Sequence, residues 1–137
     1  MAETRDLSTA ALAYLGDCVI ELLVRERLVS AGLSHSASLN RAALAFVRAE
    51  AQSVAVERLL PHLTEAENVV YRRGRNAQRL NFPRNAKPVA YRRATGMETL
   101  FGYLHAAGMD DRVRELFDIA YAEELRQFEQ KAEELNP

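Results

Sequence analysis

The stretch from residue 10 to residue 28 constrains this chain more than any other feature. Set out at about 3.6 residues per turn, it is apolar nearly all the way round, with Leu12, Leu15, Val19, Leu22 and Leu23 on one side and Ile20 and Val24 on another. A helix of that kind lies in the middle of its fold with other elements packed around it. Strand-like alternation is sustained nowhere beyond a few residues, so the expected architecture is all-α. With 137 residues, of which 48% are hydrophobic, one domain over residues 1–137 is expected, and the core can form without disulfides. The lone Cys18 cannot form an intramolecular bridge or a thiolate cluster, and its place on an apolar helix reads as a buried, inert thiol. No apolar run reaches the roughly 18 residues of a membrane span, and the first residues lack a signal-peptide layout, so a cytoplasmic protein without membrane attachment is expected.

The first helix starts at a Ser8 or Thr9 cap and runs to about residue 31, where Gly32 supplies a left-handed stop. Residues 37–60 are helical with one break, and Pro61 closes or bends that stretch. Thr64 and Glu67 form a capping box for a short helix containing Val69, Val70 and Tyr71 and ending near Gly74. Residues 75–88, with Pro83, Pro88 and three asparagines, read as a long loop, the kind that in compact domains is usually functional. A helix over residues 89–107 stops at Gly108, and Asp110 caps a terminal helix reaching about residue 135, frayed from residue 129 onward.

Two carboxylates stand out. Asp17 projects between the directions of Ile20, Val24 and Leu28, so burial would require a cation, a metal or hydrogen bonds to hold its charge. A local turn or a pairing with an arginine would serve equally well. Glu98 shares its face with Tyr91, Ala94, Phe101, Gly102 and His105. Each acid has an interior helical glycine beside it, Gly16 next to Asp17 and Gly102 one turn after Glu98, and such glycines commonly mark close approach of another backbone. If the two glycine faces meet, the carboxylates converge and favour a divalent cation. Magnesium suits such a pair, with manganese as a substitute, because it takes one or two carboxylates and keeps several waters. Glu21 reads as the partner of Arg25 at i,i+4, His105 as a group able to orient Glu98, and Tyr14, Tyr91, Phe101 and Tyr103 as core.

Charge is segregated. Residues 72–93 hold eight bases and no acid, leaving 10 bases against 19 acids elsewhere on a chain of net charge −1. That is the pattern of a polyanion footprint on an acidic body, or else of a solvated arginine-rich loop. Arg72, Arg73 and Arg75 cluster at a helix end beside Asn76, and Arg79, Arg84 and Lys87 follow in the loop; all seven are candidate contacts for the phosphates of a polyanion.

These segments together resemble a known family. Residues 12–19, Leu-Ala-Tyr-Leu-Gly-Asp-Cys-Val, resemble the signature helix of the ribonuclease III catalytic domain, and residues 98–104, Glu-Thr-Leu-Phe-Gly-Tyr-Leu, resemble its second acidic helix. Residues 72–77 (Arg-Arg-Gly-Arg-Asn-Ala) and 91–95 (Tyr-Arg-Arg-Ala-Thr) are similar to the small subfamily called Mini-ribonuclease III, which consists of the catalytic domain alone. The resemblance spans roughly residues 7–125. It implies a helical fold that pairs into a homodimer around double-stranded RNA, with Asp17 and Glu98 as the catalytic, metal-binding carboxylates. The implied reaction is magnesium-dependent hydrolysis of duplex RNA to 5′-phosphate and 3′-hydroxyl ends, on precursors of large-subunit ribosomal RNA and with no nucleotide cofactor. The larger relatives carry two further acids where this chain has Ala13 and Thr95, and an appended RNA-binding domain for which 137 residues leave no room. The alternatives are a non-catalytic structured-RNA-binding module of the same fold and a helical interaction domain whose acidic terminal helix meets a basic partner.

Overall fold

The computed structural model describes residues 6–77 and 88–135. Seven α-helices follow one another, α1 (Thr9–Ser30), α2 (Ser36–Val47), α3 (Ala49–Leu59), α4 (Glu65–Arg75), α5 (Pro88–Ala106), α6 (Asp110–Ala120) and α7 (Ala122–Leu135), with a 3₁₀ turn at Leu60–His62. No strand occurs among the described residues. The all-α expectation holds.

Local chemistry accounts for most of the boundaries. Ser8 caps α1 by accepting from the Ala11 amide at 3.0 Å, and Gly32 leaves the helix at φ 99°. The capping box of α4 is complete, with Glu67 donating its amide to Thr64 Oγ1 at 3.1 Å and Glu67 Oε1 accepting from the Thr64 amide at 2.9 Å. Three boundaries differ from the sequence reading. The 37–60 stretch breaks at Arg48, which is extended at φ −64° and ψ 145° although no glycine or proline stands there. Gly74 lies inside α4, which continues to Arg75. The terminal helix starts at Asp110 with Met109 as its cap residue and breaks at Tyr121.

The α1 and α5 helices form the centre, and α3, α4 and α6 pack around α5. Leu12, Ile20, Val24, Leu28, Met97, Leu100, Phe101 and Leu104 are buried between them, joined by Phe46, Leu59, Tyr71, Leu116 and Phe117. Tyr121 closes the core from the α6–α7 junction, stacking at a tilt on Phe46 and Phe117 and donating its hydroxyl to the Phe46 carbonyl at 2.9 Å. Ion pairs tie the outer helices down: Glu67 of α4 to Arg112 of α6 at 2.8 Å, and Arg58 of α3 to Glu124 of α7 at 2.6 Å. Arg27 of α1 also pairs with Asp118 of α6.

Candidate active site at a helix crossing

The two glycines beside the acids meet. A Cβ built on Gly16 would stand 1.6 Å from the Glu98 carbonyl oxygen and 2.9 Å from the Gly102 amide nitrogen, and one on Gly102 would stand 1.9 Å from the Leu12 carbonyl oxygen. The backbones of α1 and α5 therefore touch with no side chain between them, an arrangement open only to glycine on both helices. Asp17 follows Gly16 directly, so the crossing carries it to the Glu98 segment, although the two acids are far apart along the chain. The meeting of the two glycine faces expected from the sequence is present.

The surroundings of the acids differ from the sequence reading. Asp17 is exposed and Glu98 half-buried, so neither carboxylate lies in the apolar interior. The reason lies in α1. Its buried face is Leu12, Ala13, Gly16, Val19, Ile20, Leu23, Val24 and Leu28, while a second apolar stripe is left uncovered, with Tyr14 at 85% exposure, Leu22 at 55% and Val29 at 61%. Asp17 and Cys18 belong to that outer side. Tyr14 is consequently no core residue, and Cys18 is an exposed thiol rather than a buried one. Phe101 is buried as expected, and Tyr91 and Tyr103 are partly so.

Ala13 and Thr95, which stand where the larger relatives carry acids, are 2% and 4% exposed, and the Thr95 hydroxyl donates to the Tyr91 carbonyl at 3.0 Å. Among the described residues no cluster of three or more histidine, cysteine or acidic side chains is assembled for a metal. Asp17 and Glu98 are hard oxygen donors on the two helices that cross, a donor type that fits a cation retaining most of its waters. The negative charge of Glu98 reaches the core as well. Burial pushes the Tyr121 phenol well above its usual range, and the charges of Glu124 and Glu98 add to that push.

Neighbouring groups take structural roles. Glu21 pairs with Arg25 at 3.6 Å across one turn, and His105 Nδ1 lies 2.7 Å from Asp110 Oδ1. Arg93 is held by Glu57 at 2.8 Å and by Ser53 Oγ at 3.2 Å.

The basic cluster at the end of α4 divides in two. Arg73 is exposed and reaches across to the start of α1, where its Nε donates to Thr9 Oγ1 at 2.8 Å and its Nη2 to the Leu7 carbonyl at 3.1 Å. Arg72 is exposed and makes only a long bond of 3.5 Å to the Asn68 carbonyl. Arg75 donates to the Asn76 side chain at 3.2 Å and lies over the Tyr71 ring, and Asn76 is itself exposed. Arg79, Arg84 and Lys87 lie outside the described residues.

A second close crossing at glycines, between α4 and α5, escaped the sequence reading. A Cβ on Gly74 of α4 would stand 2.3 Å from Thr99 Oγ1 and 3.0 Å from the Gly96 Cα, and one on Gly96 of α5 would stand 2.6 Å from the Tyr71 ring. The available signal was Gly96, an interior glycine of α5 whose partner Gly74 looked like a helix stop.

Comparison with known proteins agrees with this geometry. Residues 10–109 match the family described as Ribonuclease III domain. A Mini-ribonuclease 3 of Symbiobacterium thermophilum is 43% identical over 120 residues, 88% of this chain and 92% of the relative, and one of Enterococcus faecalis is 42% identical over 120 residues, 86% and 91% of the two chains. The fold is similar to a crystal structure of a Fusobacterium nucleatum protein at a TM-score of 0.81 and 27% identity, covering 93% of this chain and 98% of that one. A match over most of the helical body, with both acidic helices inside it, means that this chain belongs to the ribonuclease III family, among its Mini-ribonucleases 3.

Proposed function

We propose that Asp17 and Glu98 are the carboxylates on which this chain's double-strand-specific endoribonuclease activity depends. The observation that carries the reading is the Gly16–Gly102 crossing, which sets the segment of one accessible acid against the backbone of the other. Ribonuclease III enzymes use divalent metal ions, and the two carboxylates would hold Mg²⁺ here, or Mn²⁺ in its place. When bound, such a cation lowers the pKa of water and stabilises charge on the phosphoryl and leaving oxygens of an in-line displacement. The part of the chain is to hold two oxygen donors in fixed relation on rigid helices and to keep the scissile phosphate beside them. Cleavage leaves 5′-phosphate and 3′-hydroxyl ends.

Duplex RNA is met through phosphates and 2′-hydroxyls more than through bases. Arg72, Arg73 and Asn76 are exposed at the end of α4 and Arg75 is half-exposed beside them, and these four with Arg79, Arg84 and Lys87 serve as the phosphate contacts. The chain acts as a homodimer. Support comes from the uncovered stripe of Tyr14, Leu22 and Val29 on the outer side of α1, which a second copy would remove from water. It runs past Asp17 on the same outer side of the helix, so pairing through it sets two such sites near the junction. The substrate is the precursor of large-subunit ribosomal RNA, as the resemblance to the small subfamily implies, and work on that precursor means a cytoplasmic location. Among the described residues no helix is long and apolar enough to cross a membrane.

The test is cutting of a long RNA duplex with magnesium. Asp17→Asn and Glu98→Gln should each abolish product while duplex binding persists. Uncut duplex with the wild-type chain in magnesium or manganese would favour a binding module instead, and full activity in either variant would remove that residue from the site.

A further inference from the structure

We infer that Thr99 is a positioning residue for duplex cleavage: through its contact with Gly74 it fixes how far the arginine-bearing end of α4 stands from the carboxylates at the α1–α5 crossing. The inference rests on the assignment of Asp17 and Glu98 given above. Successive residues of a helix point about a quarter-turn or more apart, and α5 uses two such neighbours in different directions. Glu98 lies at the crossing with α1, and Thr99, fully buried, lies at the crossing with α4. On α4 the contacting residue is Gly74, flanked directly by Arg73 and Arg75. The basic cluster and the candidate metal site are thus linked through two adjacent residues of one helix.

The link is stiff for three reasons. A Cβ on Gly74 would stand 2.6 Å from Thr99 Cβ and 2.3 Å from its Oγ1, so the spacing is set by the root of a β-branched side chain rather than by a flexible end. The Thr99 hydroxyl donates to the Thr95 carbonyl at 2.7 Å, which selects one rotamer, and Thr95 repeats the bond to Tyr91. The end of α4 is also held from its other side by Arg73, bound to Thr9 Oγ1 and the Leu7 carbonyl at the start of α1. Arginines placed this way grip the duplex at a set distance from the acids, so the cut falls at a set phosphate.

The experiment follows single-turnover cleavage, duplex affinity in magnesium-free buffer and cut positions at nucleotide resolution in Gly74→Ala, Thr99→Ala and Thr99→Val. Gly74→Ala must move α4 outward by about 1 Å, and a misplacement of that size costs up to about 100-fold in a chemical step. The expected result is a 10- to 100-fold fall in kcat with affinity within about threefold of wild type, and cuts displaced or spread over neighbouring phosphates. Thr99→Ala, which adds no bulk and so carries the test if Gly74→Ala does not fold, should lose about tenfold in kcat. Thr99→Val keeps the branched Cβ but not the hydroxyl bond to Thr95, so it should recover most of the rate and cut pattern lost in Thr99→Ala. Wild-type kcat and cuts in Gly74→Ala and Thr99→Ala would overturn the inference, as would a loss of affinity equal to the loss of rate. Asp17→Asn run alongside keeps the two readings apart: if it still cuts, the carboxylate assignment fails, whatever Thr99 does.

Discussion

Replacing Gly16 by alanine should be among the most damaging single-methyl changes this chain can suffer. The new Cβ would lie 1.6 Å from the Glu98 carbonyl oxygen and 2.5 Å from its carbonyl carbon, against the roughly 3.0 Å that real contacts require, so α1 and α5 must part by at least about 1.4 Å. The obstructing atoms are backbone, and no rotamer change relieves them. A gap of 0.5–1 Å already forfeits about a quarter to a half of a dispersion contact, and the helices that separate are the two at the centre of the core. Against this, alanine gains about 1 kcal/mol of helix propensity over glycine. Overpacking costs about 1–3 kcal/mol where side chains can yield, and more where they cannot. We therefore expect a net loss near 3 kcal/mol, read as a fall in Tm of roughly 10 °C, together with loss of cleavage as Asp17 moves from Glu98. Gly102→Ala should behave alike, its Cβ being 1.9 Å from the Leu12 carbonyl oxygen. Because either change opens the same gap, the double variant should cost little more than the worse single one, a coupling of about 1–3 kcal/mol. Gly108→Ala is the control, with nothing within 4 Å of its Cβ but a φ of 76°, and should cost only about 1–2 kcal/mol. A Gly16→Ala protein as stable and active as wild type, or strict additivity with Gly102→Ala, would refute the close-contact reasoning.

Three other outcomes are expected. Glu67 titrates below its usual value because Arg112 hydrogen-bonds it, with burial opposing and the Thr64 amide adding to the lowering, so the pair stabilises the fold above about pH 4.3 and loses that contribution as pH falls through the depressed folded value. Glu67→Gln should cost roughly 2–3 kcal/mol at pH 7, less than a fully buried pair because Arg112 is 20% exposed, and the difference should shrink at pH 3 in denaturant titrations; a gap independent of pH would contradict this. Replacing Arg72 and Arg75 together by alanine should flatten the dependence of log Kd for duplex RNA on log salt by about 1.4–1.8, and an unchanged slope would put the footprint elsewhere. Tyr14→Asp, at a position 85% exposed in the single chain, should shift the protein to monomer in sedimentation at micromolar concentration; an unaltered dimer would exclude the α1 stripe as the interface.

Much of the architecture was legible because it follows from local chemistry. The Ser8 cap, the Thr64–Glu67 box and the Gly32 and Gly108 stops are satisfied by residues within a few positions of one another. The meeting of Gly16 with Gly102 was legible for a different reason: glycine inside a sound helix is unfavourable unless something needs the room. What stayed hidden depends on partners distant in sequence. The break at Arg48 has no breaking residue, and the break at Tyr121 coincides with a buried ring bonded to Phe46. Asp17 reads as an interior acid on a helical wheel because a wheel reports which residues share a direction and not which directions the rest of the chain covers. On α1 both apolar faces look alike, and only one is covered. Arg93 illustrates the same limit, since its charge suggests a polyanion while its bonds run to Glu57 and Ser53 of α3.

The two glycine crossings also limit how this enzyme can be improved. Exchanging helical glycines for alanine is a standard route to a hardier protein, yet of the six glycines in the sequence, four stand at the crossings and two hold positive φ. Gains in heat tolerance must be sought at outward positions such as Val54 or Val69, well away from the glycines on which the catalytic scaffold is hinged.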